Sequence, residues 1–418
     1  MKFAHLSDIH LGFQKQDALQ KIEQEVFEKT LEECISRKVD FILIPGDMFH
    51  NNIPEMRVQK FAFAKFRQVH DAEIPVYVVY GSHDFSPVAN SVIDLLSETG
   101  YITKVTKVKD SQDGKIVLDF IQDEKTGVKI AGFSGLKAGK DREYYEKLDR
   151  ESLETESGFK IFLFHGGISE IKTEQGPEGE FMPLSFLPKG FDYYAGGHMH
   201  KFAHQKYADY FHVVYPGTLF SGYHSDLEEN AKGQKRGFVL VEIEDKIKSV
   251  EFVEVKNADY EIIEVNADNR KAESVNQELV DKVKDIDPAG KIVIILVEGE
   301  LTSGKTAEVD LSSIREQLSQ SGALAVNISK NRLTSREYKI TEAKGKDKDE
   351  IETNVFKENI GQLRFEQKEL IGDSGVLLAK KLLKELGQPS LENEKKIEYL
   401  QRVKQGAFGI LELKIDDS

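Results

Sequence analysis

Residues 3–12 read FAHLSDIHLG, and within them Asp8 and His10 lie two apart in an extended segment, so both side chains leave it on the same side. The layout returns four times. FILIPGDMFH at 41–50 carries Asp47 and His50, GSHDF at 81–85 carries Ser82 and His83, KIFLFHGG at 160–167 carries His165, and DYYAGGHMH at 192–200 ends on His198 and His200. Each loop follows an apolar, strand-like run, usually with glycine beside the Asp or His, where it lets the backbone approach closely. Hard divalent cations prefer carboxylate oxygens, while Mn, Fe and Zn also accept imidazole, so this mixed set predicts a redox-quiet transition-metal site. One Asp-x-His pair would be weak evidence. Five such loops, using six of the eleven histidines, are hard to assign to chance.

The elements that must hold these loops alternate between strand and helix. Leu19, Ile22, Val26, Leu31 and Ile35 recur at helical spacing over 17–38, and a strand follows at 39–44. Pro54 is read as opening a second helix that ends before the Pro75 strand, so residues 39–80 form a strand-helix-strand unit of the kind that builds parallel sheets. Strands at 128–133 and 160–165, a helix near 141–155 and short strands over 191–256 extend the pattern. Residues 1–258 are expected to form a two-sheet sandwich flanked by helices. Residues 259–335, with strands at 260–265, 291–298 and 323–329 and helices at 271–285 and 308–320, are expected to form a small α/β capping domain. A charged linker over 336–350 and a helical tail over 351–418 follow, with helices at 352–361, 375–387 and 391–405. The fold class is α/β.

Composition bounds the rest. A chain of 418 residues is long enough for two or three domains. No stretch approaches the roughly 20 apolar residues of a membrane span, and the amino terminus runs straight into a strand, so a cytoplasmic location without membrane attachment is expected. The single cysteine, Cys34, has no partner for an internal disulfide, which fits a reducing compartment. A formal charge of −15 argues against nucleic acid as a partner unless bound cations or a second protein supply positive charge at the site.

In this order, DIH, GDMFH, GSHD, HGG and GHMH resemble the five signature motifs of the calcineurin-like metallophosphoesterases. The GDMFH form, the YPGTLFSGYH segment after the last motif, and the size and order of the trailing domains resemble, more closely, the SbcD-type or meiotic-recombination-eleven family of DNA double-strand-break repair nucleases. The motif likeness covers about residues 1–225. It implies that Asp8, His10, Asp47 and His200 hold a first metal, with Asp47 bridging, and that His165, His198 and the position of Ser82 hold a second. It implies two Mn²⁺ per chain, His83 as proton donor to the leaving group, and His50 beside the phosphate. Related sequences carry Asn at the position of Ser82. Serine is shorter and, un-ionised, a weaker donor, so the second metal is expected to bind less tightly.

The implied activity is a Mn-dependent DNA exonuclease or endonuclease of double-strand-break processing, nucleoid-associated and working with an SMC-like ATPase of the SbcC or Rad-fifty type that docks on the C-terminal helices. Two other readings compete: a metallophosphoesterase acting on a nucleotide or other small phosphodiester, and a scaffold whose metals are structural. Lys15, Arg57 and Lys201 are candidate phosphate contacts. The helix after Pro54 carries an apolar stripe of Val58, Ala62, Phe66 and Val69. Phe61 and Phe63 flank it, and with the resemblance they point to a homodimer.

Overall fold

The computed structural model describes residues 1–86, 91–109, 114–135, 141–171, 181–336, 348–362, 370, 372–389, 391, 394 and 396–411. Two compact units divide it: Met1–Ile262 with Ile286–Ile295 and Arg315–Ile328, and Ile263–Asp285 with Leu296–Ile314 and Ser329–Ser418. These units cut through the 259–335 segment rather than at its edges.

The first unit holds two six-stranded sheets. In one, Lys2–His5, Phe41–Pro45, Val76–Val79 and Thr103–Lys104 run parallel, and Gly237–Ile243 with Ile247–Glu254 add an antiparallel edge. In the other, Lys129–Phe133, Lys160–His165, Tyr193–Gly197 and Tyr210–Tyr215 run parallel, with antiparallel edges at Ile121–Gln122 and Ala203–Tyr207. Phe41–Pro45 and Lys160–His165 are buried along their whole length. They read as unbroken apolar runs because a central parallel strand is covered on both faces. One shared core, including Phe3, Leu43, Val79, Leu163, Ala195 and Val239, joins the inner faces. Each of the Val, Leu and Phe side chains among them adds about 1.5–3 kcal/mol over its exposed state.

Helix Asp17–Ser36 buries Leu19, Ile22, Val26 and Leu31, and helix Met56–Asp71 buries Val58, Ala62, Phe66 and Val69. The second helix starts two residues after Pro54. Phe61 and Phe63 are not free flanks: both are half-buried, one against Phe27 and the other against Tyr101, with ring centroids 6.3 and 6.4 Å apart. The exposed apolar groups at this end are Ile53 and Met56. Three local expectations change. The helix near 141–155 is two short ones, Asp141–Glu146 and Arg150–Glu154; helix Val92–Glu98, capped by Ser91 and Asp94, is additional; and helix His224–Ala231 interrupts the strand-rich region.

Within the second unit, Leu333–Ser335 pairs in parallel with Gly299–Leu301. The tail has helices Lys348–Gln362, Gly372–Leu386 and Lys396–Ile410, and the middle one packs on both others. Of the expected linker, residues 337–347 lie outside the described residues, and Lys348 already begins a helix. Val376 is buried in the bundle, whereas Leu377, Leu383 and Leu386 stay exposed. Among the described residues no helix is long and apolar enough to cross a membrane.

Candidate metal centre

All five motif loops leave the carboxyl ends of parallel strands. This is where an α/β sheet leaves loop backbone free to hold a ligand. Asp8 and His10 follow Lys2–His5, Asp47 follows Phe41–Pro45, Ser82 and His83 follow Val76–Val79, His165 ends its strand, and His198 and His200 follow Tyr193–Gly197. The turns are strained to bring the side chains inward. Asp8, His10, Asp47 and His198 all adopt positive φ, at 49°, 51°, 49° and 94°. For such residues this costs of order 1–3 kcal/mol each, and backbone of that kind concentrates at functional sites. The space is equally tight: a Cβ at Gly81 would lie 2.1 Å from Asp47 Oδ1, and one at Gly222 would lie 2.2 Å from His10 Cδ2.

Three ligand groups emerge among the described residues: Asp8, His10 and His200; Asp8, Asp47 and His165; and His10, His50 and His83, each with its donor atoms within 4.8 Å of one another. Asp47 Oδ2 lies 3.8 Å from His10 Nε2 and 3.2 Å from His165 Nε2, so a single oxygen stands between the two imidazoles. His10 Nε2 and His200 Nε2 converge to 3.3 Å. His198 is placed twice over: its backbone N–H donates to both oxygens of Asp8 at 2.9 and 3.0 Å, and its ring lies 5.4 Å from that of His165. Ser82 Oγ reaches to 3.5 Å of Asp47 Oδ2.

The imidazoles are oriented by their other nitrogens. His165 Nδ1 bonds the Pro45 carbonyl at 2.9 Å, which turns its buried Nε2 toward Asp47 Oδ2, 3.2 Å away. His200 Nδ1 bonds Asp226 Oδ2 at 2.8 Å, which presents Nε2 to the site. Electrostatics fit a cation. Burial alone would neutralise Asp47, but His165 and His10 outweigh it and hold its carboxyl well below the ordinary range. The same pairing overcomes burial at His165 and pushes its pKa up to about 10. Burial keeps His10 neutral, its lone pair available. A proton on His165 thus supplies the positive charge that this carboxylate cluster demands. A cation taking its place releases that proton.

Two further residues, Asp226 beyond the motifs and Asp84 at the end of GSHD, complete the geometry. Asp226 accepts from His200 Nδ1, from the backbone N–H groups of Gly222 and Tyr223 at 2.8 Å each, and from Arg236 at 3.2 Å. Burial opposes its charge, but the His200 hydrogen bond and Arg236 hold its pKa at about 2. Asp84 accepts from the backbone N–H of Met48, Phe49 and Gly81 at 3.0–3.1 Å and so ties two motif loops together. Such partners of a ligating imidazole are worth about 10–100-fold in metal affinity. Asp226→Asn is expected to weaken Mn binding by that factor in a calorimetric titration, and unchanged affinity would show that His200 is oriented by other means. Ser82→Asn is expected to tighten the weaker of two Mn sites by about tenfold, an effect at the lower end of the same range. No tightening would remove Ser82 from the second site.

His83 and His50 sit beside this cluster. Their rings lie 4.8 Å apart, and His83 lies 4.9 Å from His10. His83 Nδ1 bonds the His50 carbonyl at 2.8 Å, leaving Nε2 to face a ligand. Burial, followed by the charges of His83 and Lys15, lowers the His50 pKa to about 4. Each cationic candidate has a local partner. Lys201 pairs with Glu229 at 2.7 Å and Arg57 with Glu55 at 2.9 Å, while Lys15 donates to the Gly12 carbonyl at 3.2 Å.

Residues 1–202 match the family model for calcineurin-like phosphoesterases. A protein of Sulfolobus acidocaldarius named DNA double-strand break repair protein Mre11 is 27% identical over 293 residues, covering 68% of this chain and 72% of its own length. Its namesake in Methanocaldococcus jannaschii is 27% identical over 291 residues, covering 66% and 73%. The Caenorhabditis elegans double-strand break repair protein mre-11 is 22% identical over 299 residues, covering 60% and 40%. The family implies a dinuclear divalent-metal site, and the two ligand groups sharing Asp8, with the buried Nε2 of His165 turned into one of them, provide for it. With motif order, ligand geometry and relatives in agreement, residues 1–202 carry the calcineurin-like phosphoesterase pattern in a chain similar to the Mre11 proteins, and the chain is a metal-dependent phosphodiester hydrolase.

Proposed function

We propose that the chain is a Mn-dependent DNA nuclease of double-strand-break processing, acting with an SMC-like ATPase of the SbcC or Rad-fifty type. The observation that carries this is the single Asp47 oxygen between His10 and His165, with the His83 ring beside them. Asp8, His10, Asp47 and His200 would hold one cation, and Asp47, His165, His198 and Ser82 the other. Bound there, the pair would lower the pKa of a shared water and neutralise charge on the phosphodiester. The chain's own groups supply the rest. His83, with Nδ1 fixed on the His50 carbonyl, directs Nε2 to the leaving oxygen as proton donor. His50, kept neutral, orients the phosphate by hydrogen bonding. The names of the relatives support DNA as the substrate.

Linear duplex and single-stranded DNA incubated with the purified chain should be cut with Mn and left intact without it. Turnover of a chromogenic diester with neither DNA cut would replace this reading by that of a small-phosphodiester hydrolase. The tail supports the partner: Leu377, Leu383 and Leu386 remain exposed on a bundle that has already buried Val376, an apolar helical face suited to groove or coiled-coil docking. Truncation after Arg336 is expected to leave Mn-dependent cleavage within about twofold of the full chain and to abolish co-purification with the ATPase. Retained co-purification would move the docking surface elsewhere. Exposed Ile53 and Met56, at the start of the second helix, are the apolar surface proposed for a homodimer.

A further inference from the structure

A cavity of ≈360 Å³ opens beside the metal centre, where Val76–Val79 and Lys129–Phe133 end. Four aromatic rings, Tyr80, Phe85, Phe133 and Tyr144, line it, with Lys104 and the hydroxyls of Thr106 and Ser134 as polar groups. Its walls are continuous with the catalytic loops. Tyr80 and Phe85 flank the Gly81–Asp84 motif, and the Tyr80 carbonyl accepts from the Gly135 N–H at 2.8 Å. A Cβ on Gly135 would lie 2.9 Å from His165 Cδ2, so the loop that forms the cavity wall also touches a ligand. The cavity is therefore on the Ser82 and His165 side of the centre. Lys104, paired with Asp94 at 2.6 Å and set over the Tyr80 ring, marks its polar edge.

Resting on the nuclease reading, we propose that this cavity receives one unpaired nucleobase of the strand whose phosphate sits at the metals. A phosphodiester held there carries a sugar and a base on each side, and flat apolar rings with a cation and two hydroxyls suit a base that stacks by its face and bonds by its edge. At ≈360 Å³ the cavity falls at the small end of small-ligand sites. The nucleotide next to the scissile bond must then leave its stack, which costs least at frayed ends, mismatches and single strands. Preference for unpaired nucleotides thus arises in the pocket, without a sequence-reading contact.

The chain contains no tryptophan. Tyr144→Trp accordingly places a single fluorescent reporter in the wall. In the metal-free full chain, deoxyadenosine 5′-monophosphate should quench it saturably and deoxyribose 5-phosphate should not; no quenching, or equal quenching by both, overturns the proposal. Tyr144→Ala tests the same pocket through turnover with Mn. KM for thymidine 5′-(p-nitrophenyl phosphate) should rise about tenfold, within the range that losing one base-aromatic stack produces. Hydrolysis of methyl p-nitrophenyl phosphate, which has no base, should change less than about twofold. Unchanged KM for the nucleoside diester, or an equal fall for both diesters, overturns it as well. Wild-type cleavage of DNA separates the two readings: its absence sinks the nuclease assignment, whereas normal cleavage with base-indifferent variants sinks the pocket alone.

Discussion

Replacing His83 by alanine is expected to slow phosphodiester cleavage by about 10²–10⁴-fold while bound Mn stays at the wild-type level. The substitution removes the imidazole but keeps the backbone N–H that donates to Asp47 Oδ1 at 2.8 Å, so the carboxylate between the two ligand groups holds its position. The His83 Nδ1 is already committed to the His50 carbonyl. What is lost is the ring's free nitrogen and the proton it delivers. Metal content by atomic absorption, measured beside the rate, decides the matter. Loss of metal with loss of rate would make His83 a ligand and move the proton donor elsewhere, with His50 the nearest alternative.

Asp47→Asn is expected to do the reverse, emptying both sites and leaving no measurable cleavage. Asparagine tolerates the φ of 49° at this position, so the change removes charge and little else. Alanine would add backbone strain to the loss of a ligand and confuse the two. The metal-free chain offers a second readout. His165 reaches a pKa of about 10 because its pairing with Asp47 outweighs burial. With Asp47 neutral, burial should return it below 6.5, visible in the pH dependence of its ring resonances. A mutant that retains both metals, or an unmoved His165 titration, would show that Asp8, common to two of the ligand groups, bears the bridge instead.

The convergence of the five loops was legible because each ends an apolar strand and carries its Asp or His within a few residues. What escaped was the support behind it. Asp226 lies 26 residues beyond His200 in a polar stretch, and nothing local to SDLEENAKG ties its carboxylate to an imidazole. That stretch also hid helix His224–Ala231, which buries Asp226 and Asn230 beside Leu227 and so carries no apolar stripe. Helix Val92–Glu98 left a readable trace, the Ser91 and Asp94 capping box, but at seven residues it is too short for periodicity to register. Lysine and arginine positions said little about phosphate binding. In a chain with 72 acidic and 57 basic side chains, cations near the motifs find internal carboxylates, as Lys201 and Arg57 do.

The bond from the His198 N–H to Asp8 spans 190 residues, and Arg236 in turn holds both Asp226 and the His200 carbonyl. A chain growing on the ribosome therefore has its first two ligands long before it has the partners that orient them. Neither sheet can supply the centre alone, because Asp8, Asp47 and His83 come from one and His165, His198 and His200 from the other. Contacts of such sequence separation form late in folding. Hydrolytic competence thus arrives after the two sheets have docked and Arg236 has emerged, so nascent chains and early-terminated fragments lack a complete centre. The same arrangement makes the docking of the sheets a safety catch on the chemistry.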